Sequence, residues 1–159
     1  MDQSKLSRSL KLILLGVGVC GLIVFGYILP ACAISVRDAY PEYARAFWPW
    51  LGFLWLAALP CYGVLVLGWR IAANIGADRS FCRENARMLR GVAWLAAGDT
   101  AYFFLGNAAL LLLNMSHPGV VLASLLVCFA GVAVTVAAVC LSHLVQKAAV
   151  LQEQSDLTI

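Results

Sequence analysis

LILLGVGVCGLIVFGYILPACAISV, residues 12–36, runs for 25 positions without an Asp, Glu, Lys or Arg. A helix that crosses bilayer hydrocarbon needs roughly 20 mostly apolar residues. Residues 46–69 are equally free of charge, and residues 91–146 contain a single charged side chain, Asp99. That last run divides at the turn-like Asn114-Met115-Ser116-His117-Pro118-Gly119. The chain therefore reads as four spans, about 12–36, 47–71, 91–113 and 119–145, with an inner loop at 72–90 and a tail at 146–159. The expected fold class is all-α: an integral membrane four-helix bundle.

Composition agrees with the spans. The 159 residues are 63% hydrophobic and 12% charged, against roughly 45–50% and 25% in soluble domains. The segments between the spans are too short to bury a core of their own, so one membrane domain is expected. Lys5, Arg8 and Lys11 before the first apolar run, and Ala31-Cys32-Ala33 near its end, resemble parts of a secretion signal. The run is longer than the ~7–15 apolar residues of such a signal and reads as a retained span.

Lys and Arg near the spans set orientation. The first end has Lys5, Arg8 and Lys11, the 72–90 region has Arg79, Arg83, Arg87 and Arg90 beside Arg70, and the tail has Lys147. The first loop has only Arg37 and Arg45, offset by Asp38 and Glu42. Both termini are thus expected on the cytoplasmic side of the cell membrane, with Trp48 and Trp50 at the outer interface, where indoles favour the headgroup level.

Helices in lipid associate where small side chains let backbones approach. In span four, Ser124, Cys128, Gly131, Thr135, Ala138 and Ser142 recur at helical spacing on one face, which describes a packing seam. Span one has Gly16, Gly18, Gly21 and Gly26, and span two contains Pro60, where a kink is expected. Asp99 is the exception. Eight residues past Gly91 it lies about 12 Å into the bilayer, where an ionised carboxylate is costly. No Lys or Arg lies within a span to pair with it. With Tyr102 and Asn107 it forms a candidate intramembrane polar site, either a proton- or cation-coupled group or a hydrogen bond that fixes the register of the bundle.

Enzyme chemistry is not expected. The six cysteines, Cys20, Cys32, Cys61, Cys82, Cys128 and Cys140, include no Cys-x-x-Cys pair, and no zinc site or thiol-oxidase pair follows from them. There is no Gly-rich phosphate loop and no His-Glu-x-x-His, and His117 and His143 read as interfacial residues. No cofactor, no metal and no direct contact with nucleic acid is expected.

The segment IGADRSFCRENARMLR, residues 75–90, is the most patterned part outside the spans. With Asp78 or Ser80 as cap, Arg79, Arg83, Arg87 and Arg90 fall within an ~80° arc. That describes a short cytoplasmic amphipathic helix between spans two and three, suited to an anionic inner leaflet.

The same segment, with LQEQSDLTI at 151–159, resembles the bacterial membrane family catalogued as domain of unknown function 2975. The loop pattern G-x-x-F-x-x-E-N-x-x-x-L meets Phe81, Glu84, Asn85 and Leu89, with its Gly displaced to Gly76. The tail pattern L-x-E-E-x-D-L-T-I meets Leu151, Glu153, Asp156, Leu157, Thr158 and Ile159, with Gln154 in place of a Glu. The tail is the more specific of the two. The resemblance implies four spans, no established activity, and a gene often beside a small helix-turn-helix regulator. On that basis Arg79, Phe81, Arg83, Glu84, Asn85, Arg87, Arg90, Asp156, Leu157, Thr158 and Ile159 form a candidate surface for a cytoplasmic partner or for lipid. Asp156 and the terminal carboxylate have a second option, docking on the arginines of their own chain. The leading expectation is a non-enzymatic membrane partner or tether of such a regulator. The alternative is a small transporter, channel or accessory subunit built on Asp99, which a homo-oligomer would make easier to build because four spans enclose little space.

Overall fold

A computed structural model describes residues 3–156. It contains α1 (Gln3–Ile23), a π-helical turn at Val24–Ile28, α2 (Leu29–Ala39), a 3-10 turn at Pro41–Ala46, α3 (Phe47–Gly76), α4 (Arg83–Leu112) and α5 (Pro118–Asp156). No strand occurs among the described residues. α1 and α2 form one continuous crossing, so four helices are long and apolar enough to span a membrane, as the charge-free runs require. Both described ends of the chain and the α3–α4 turn lie together at one end of the molecule. The 3-10 turn and the α4–α5 turn lie at the other.

The π-helical turn follows from Pro30. A proline has no N–H, and its ring crowds the carbonyl four residues back. The helix takes up the misfit as one wide turn, a common resolution, in which Leu29 N–H donates to Val24 O. In a regular helix that N–H would go to Phe25 O. The carbonyl set free is taken by the indole Nε1 of Trp55 on α3 at 3.0 Å. A local proline defect has thus become a tie between helices, as backbone groups in hydrocarbon require.

α1 and α3 pack antiparallel with two further side-chain-to-backbone bonds. Ser7 Oγ donates to Ala72 O at 2.6 Å, and Tyr62 Oη to Gly18 O at 3.1 Å. α3 runs unbroken through Pro60 and ends in a Schellman motif: Arg79 N donates to Asn74 O and Asp78 N to Ile75 O, with Asp78 at φ 58°. α4 ends the same way on Leu110 O and Leu111 O, with Asn114 at φ 53°. Asp and Asn are the residues other than Gly that best tolerate this left-handed geometry.

The 72–90 region departs from expectation. It holds no separate amphipathic helix: residues 77–82 are a turn and Arg83 already begins α4. Asp78 terminates α3 instead of starting a new helix. The cap is Cys82, whose Sγ accepts from Asn85 N at 3.5 Å. Arg79 therefore sits in the turn, while Arg83, Arg87 and Arg90 ride the first turns of the spanning helix itself. Glu84 in that first turn suits the positive helix N-terminus.

The four crossings form a row. α1 packs on α3, α3 on α4 and α4 on α5, and among the described residues α5 touches no other helix. Each outer helix has one face of small residues and spends it on one neighbour. On α1, Gly18 and Gly21 meet Leu65 and Tyr62 of α3. On α5, Gly131 lies against Thr100 of α4, and Ser124, Ala138 and Ser142 are buried. The stripe of small residues read from span four is therefore the α4–α5 interface. Where α1 and α5 face each other a groove of about 610 Å3 remains, lined by residues of all four crossings.

The close approach at Gly131 makes a direct test. A side chain there meets Thr100, so Gly131→Leu should cost about 1–3 kcal/mol, read as a lower unfolding midpoint in a detergent titration. Gly16 has open space at its Cβ position, and Gly16→Ala should leave that midpoint unchanged or raise it.

Candidate functional site

Asn85 is the most heavily used side chain at the end carrying the termini. It is 1% exposed. Its Oδ1 accepts from Asn74 Nδ2 at 2.8 Å, and its Nδ2 donates to Arg79 O at 3.1 Å and Ser80 O at 2.9 Å. An amide offers two donors and a two-lone-pair acceptor, and here three of those options tie the end of α3, the turn and the start of α4 together. The next residue, Ala86, gives its carbonyl to Ser142 Oγ of α5 at 2.8 Å, a bond buried on both sides. With Ser7 on Ala72 O, every crossing is anchored at this end by a small buried polar side chain.

Asn85 thus lies inside the structure and offers nothing to a partner, against its expected place on the surface. The other residues of that expected surface are exposed: Arg79, Phe81, Arg83, Glu84, Arg87 and Arg90. Phe81 is 57% exposed, an apolar ring at the tip of the turn.

The arginines are partly engaged by the chain itself. Arg83 grips Glu153 of α5 with two parallel bonds, Nε to Oε1 at 2.9 Å and Nη2 to Oε2 at 2.6 Å. The carboxylate holds the Arg83 guanidinium above its ordinary range, through the hydrogen bonds first and the charge second. Arg90 Nη2 donates to Gln146 Oε1 at 3.1 Å, and Arg79 Nη2 to Glu84 Oε2 at 3.5 Å. The tail docks on the arginines of its own chain through Glu153. The expected contributions of the Asp156 side chain and of Leu157, Thr158 and Ile159 lie outside what the structure describes.

The length of α5 makes this docking possible. Its 39 residues extend about 58 Å at the helical rise, against a hydrocarbon layer of about 30 Å. The last turns therefore clear the apolar layer and lie along the start of α4.

Within the membrane, Asp99, Tyr102 and Asn107 do not converge. Asp99 Oδ2 accepts from Cys61 Sγ of α3 at 3.5 Å, and its Oδ1 is buried without a partner among the described residues. Tyr102 Oη donates to Phe53 O at 3.1 Å. Asn107 turns back on its own helix, its Nδ2 donating to Phe103 O at 2.8 Å. Asp99 and Tyr102 both face α3, and the Phe53 ring stacks on Phe103 at 5.5 Å against Gly106. The partner of Asp99, Cys61, had no marker in the sequence beyond being a cysteine in a span. Asp99 and Cys61 both line the groove between α1 and α5. No group of three His, Cys, Asp or Glu side chains that could hold a metal occurs among the described residues.

Residues 31–159 match the model of a family described as protein of unknown function, DUF2975. The uncharacterized membrane protein YoaS of Bacillus subtilis (strain 168) is 22% identical over 159 residues, covering 99% of this chain and 98% of that one. No solved structure matches the chain.

The Arg83–Glu153 pair is exposed on both sides, and such pairs orient more than they stabilise. Arg83→Gln should leave the thermal midpoint unchanged but speed amide hydrogen exchange across residues 146–156, and added salt should do the same to the wild type.

Proposed function

The chain belongs to the DUF2975 family, and we propose that it is a non-enzymatic membrane protein that holds a cytoplasmic partner at the bilayer. Nine of the eleven Lys and Arg side chains belong to the end where the described ends of the chain meet the α3–α4 turn. The positive-inside tendency therefore supports placing that end in the cytoplasm and the protein in the cell membrane. The observation that carries the proposal is the Arg83–Glu153 clamp. It sets the end of α5 against the start of α4, at the end of the molecule where Phe81 and Arg87 are exposed. The partner that fits the family resemblance is a small helix-turn-helix regulator. The arginine-rich rim would at the same time rest on anionic headgroups.

Removing residues 152–159 should abolish co-purification of that regulator from native membranes while membrane insertion stays normal. Co-purification that survives the truncation would remove the tail from the proposal.

A second reading rests on one observation, the Oδ1 of Asp99, which has no partner among the described residues and lies at the groove between α1 and α5. A buried acceptor without a donor is rare enough to need a reason, and proton or cation coupling in a small transporter, channel or accessory subunit supplies one. On this reading Asp99→Asn, which keeps the shape and removes the titration, abolishes ion flux in proteoliposomes. Absence of flux in the wild type, or flux unchanged by the substitution, rejects it.

A further inference from the structure

The end of the molecule away from the termini encloses a cavity of about 480 Å3 between α2, the 3-10 turn and the start of α5. Pockets of roughly 300–1,000 Å3 are those in which proteins hold single small molecules. Its wall is chiefly apolar, with Val36, Phe47, Trp50, Met115 and Val120 among the lining side chains. The polar side chains that line it are Arg37, Tyr40, Tyr43, Ser116 and His117, and no Asp or Glu is among them. Each can donate a hydrogen bond, and one carries a fixed positive charge.

Ser116 leaves one hydrogen bond of this wall unmet. It is 7% exposed, and its Oγ is buried with no hydrogen-bond partner among the described residues. The other buried serines, Ser7, Ser124 and Ser142, all bond to a backbone carbonyl. A buried hydroxyl left alone is destabilising, so Ser116 is either a standing cost or half of an interaction.

Its neighbours supply donors. His117 Nδ1 accepts from Gly119 N at 3.0 Å as α5 begins, which makes Nε2 the donor of the neutral ring. The imidazole lies 6.2 Å from the Tyr40 ring. Arg37 spends Nε on Asp38 at 3.0 Å, and its guanidinium lies 5.3 Å from the centre of the Phe47 ring. Among the described residues neither terminal Nη group has a hydrogen-bond partner, and both can address a further acceptor.

We propose that this cavity binds a single-chain amphiphile with a carboxylate head. The head meets Arg37, Ser116 and His117, and the apolar chain lies against Phe47, Trp50 and Met115. Three features favour that class. The lining has a guanidinium and no acid of its own, the carboxylate of Asp38 taking only its Nε, and this favours an anion over a cation. A planar carboxylate matches the two remaining N–H arms of a guanidinium. The volume suits one small molecule, whereas a two-chain phospholipid would need far more. The proposal is independent of tethering, whose residues lie at the opposite end.

The test uses the full chain in phosphatidylcholine nanodiscs, titrated with dodecanoate or with dodecanol and followed calorimetrically. Dodecanoate should bind saturably at one site, about tenfold more tightly than dodecanol. Arg37→Gln should weaken dodecanoate about tenfold and leave dodecanol unchanged. Ala123→Trp, which fills the cavity from the exposed side of α5, should abolish binding of both, with helical content and thermal midpoint confirming that each variant folds. Replacing part of the lipid by phosphatidylglycerol should not compete. Unsaturable partitioning of dodecanoate, or equal binding by the wild type and Arg37→Gln, overturns the proposal. Suppression by phosphatidylglycerol overturns it too, since a bilayer headgroup would then be the occupant.

Discussion

The hydrogen bonds of Asn85 are the constraint on which the rest of the structure depends. A chain that turns from one helix into the next must satisfy the carbonyls of the turn, and those covered by packing have no water to do it. Asn85 takes two of those carbonyls, Arg79 O and Ser80 O, while it holds Asn74 at the end of the preceding helix. With that turn fixed, Ala86 is in place to receive Ser142 and so to set the height of α5. The clamp between Arg83 and Glu153 becomes reachable only because α4 and α5 already have this register. The buried amide organises this end, and the exposed ion pair finishes it.

The rest of the fold is a row of antiparallel contacts, each made by whatever lets backbones approach or donate across the gap. The α1–α3 contact uses Ser7, Tyr62 and Trp55, all giving to backbone carbonyls. The α4–α5 contact uses small side chains. Hydrophobicity could not have chosen these faces, because lipid is as apolar as leucine. With one close-packing face per outer helix the row cannot close, and the groove that contains Asp99 and Cys61 is the consequence.

Much of this was legible in the sequence, for reasons particular residues make plain. Charge-free runs are imposed by the bilayer, so 12–36 and 46–69 identified spans without any knowledge of packing. The stripe from Ser124 to Ser142 was visible because a helix repeats its face every three or four residues. What the sequence hid were contacts between residues far apart along the chain. Asn85 looked like a surface polar residue among arginines, and nothing local reveals that Asn74 and two carbonyls await it. The arginine alignment suggested a separate helix because periodicity cannot tell a short helix from the first turns of a long one. Pro30 gave a warning of irregularity, but its use of Trp55 needed the third dimension. Tyr102 and Asn107 were grouped with Asp99 by spacing, and the structure gives each its own backbone carbonyl.

The most direct test of this account compares thermal unfolding of Asn85→Ala with that of the wild type in the same detergent. Loss of the amide leaves Arg79 O, Ser80 O and the Asn74 side chain without their partner, so stability should fall by about 1–3 kcal/mol. Hydrogen exchange should rise across residues 74–90. An unchanged midpoint with unchanged exchange in that segment would contradict the account, since the end of the bundle would then hold together without Asn85.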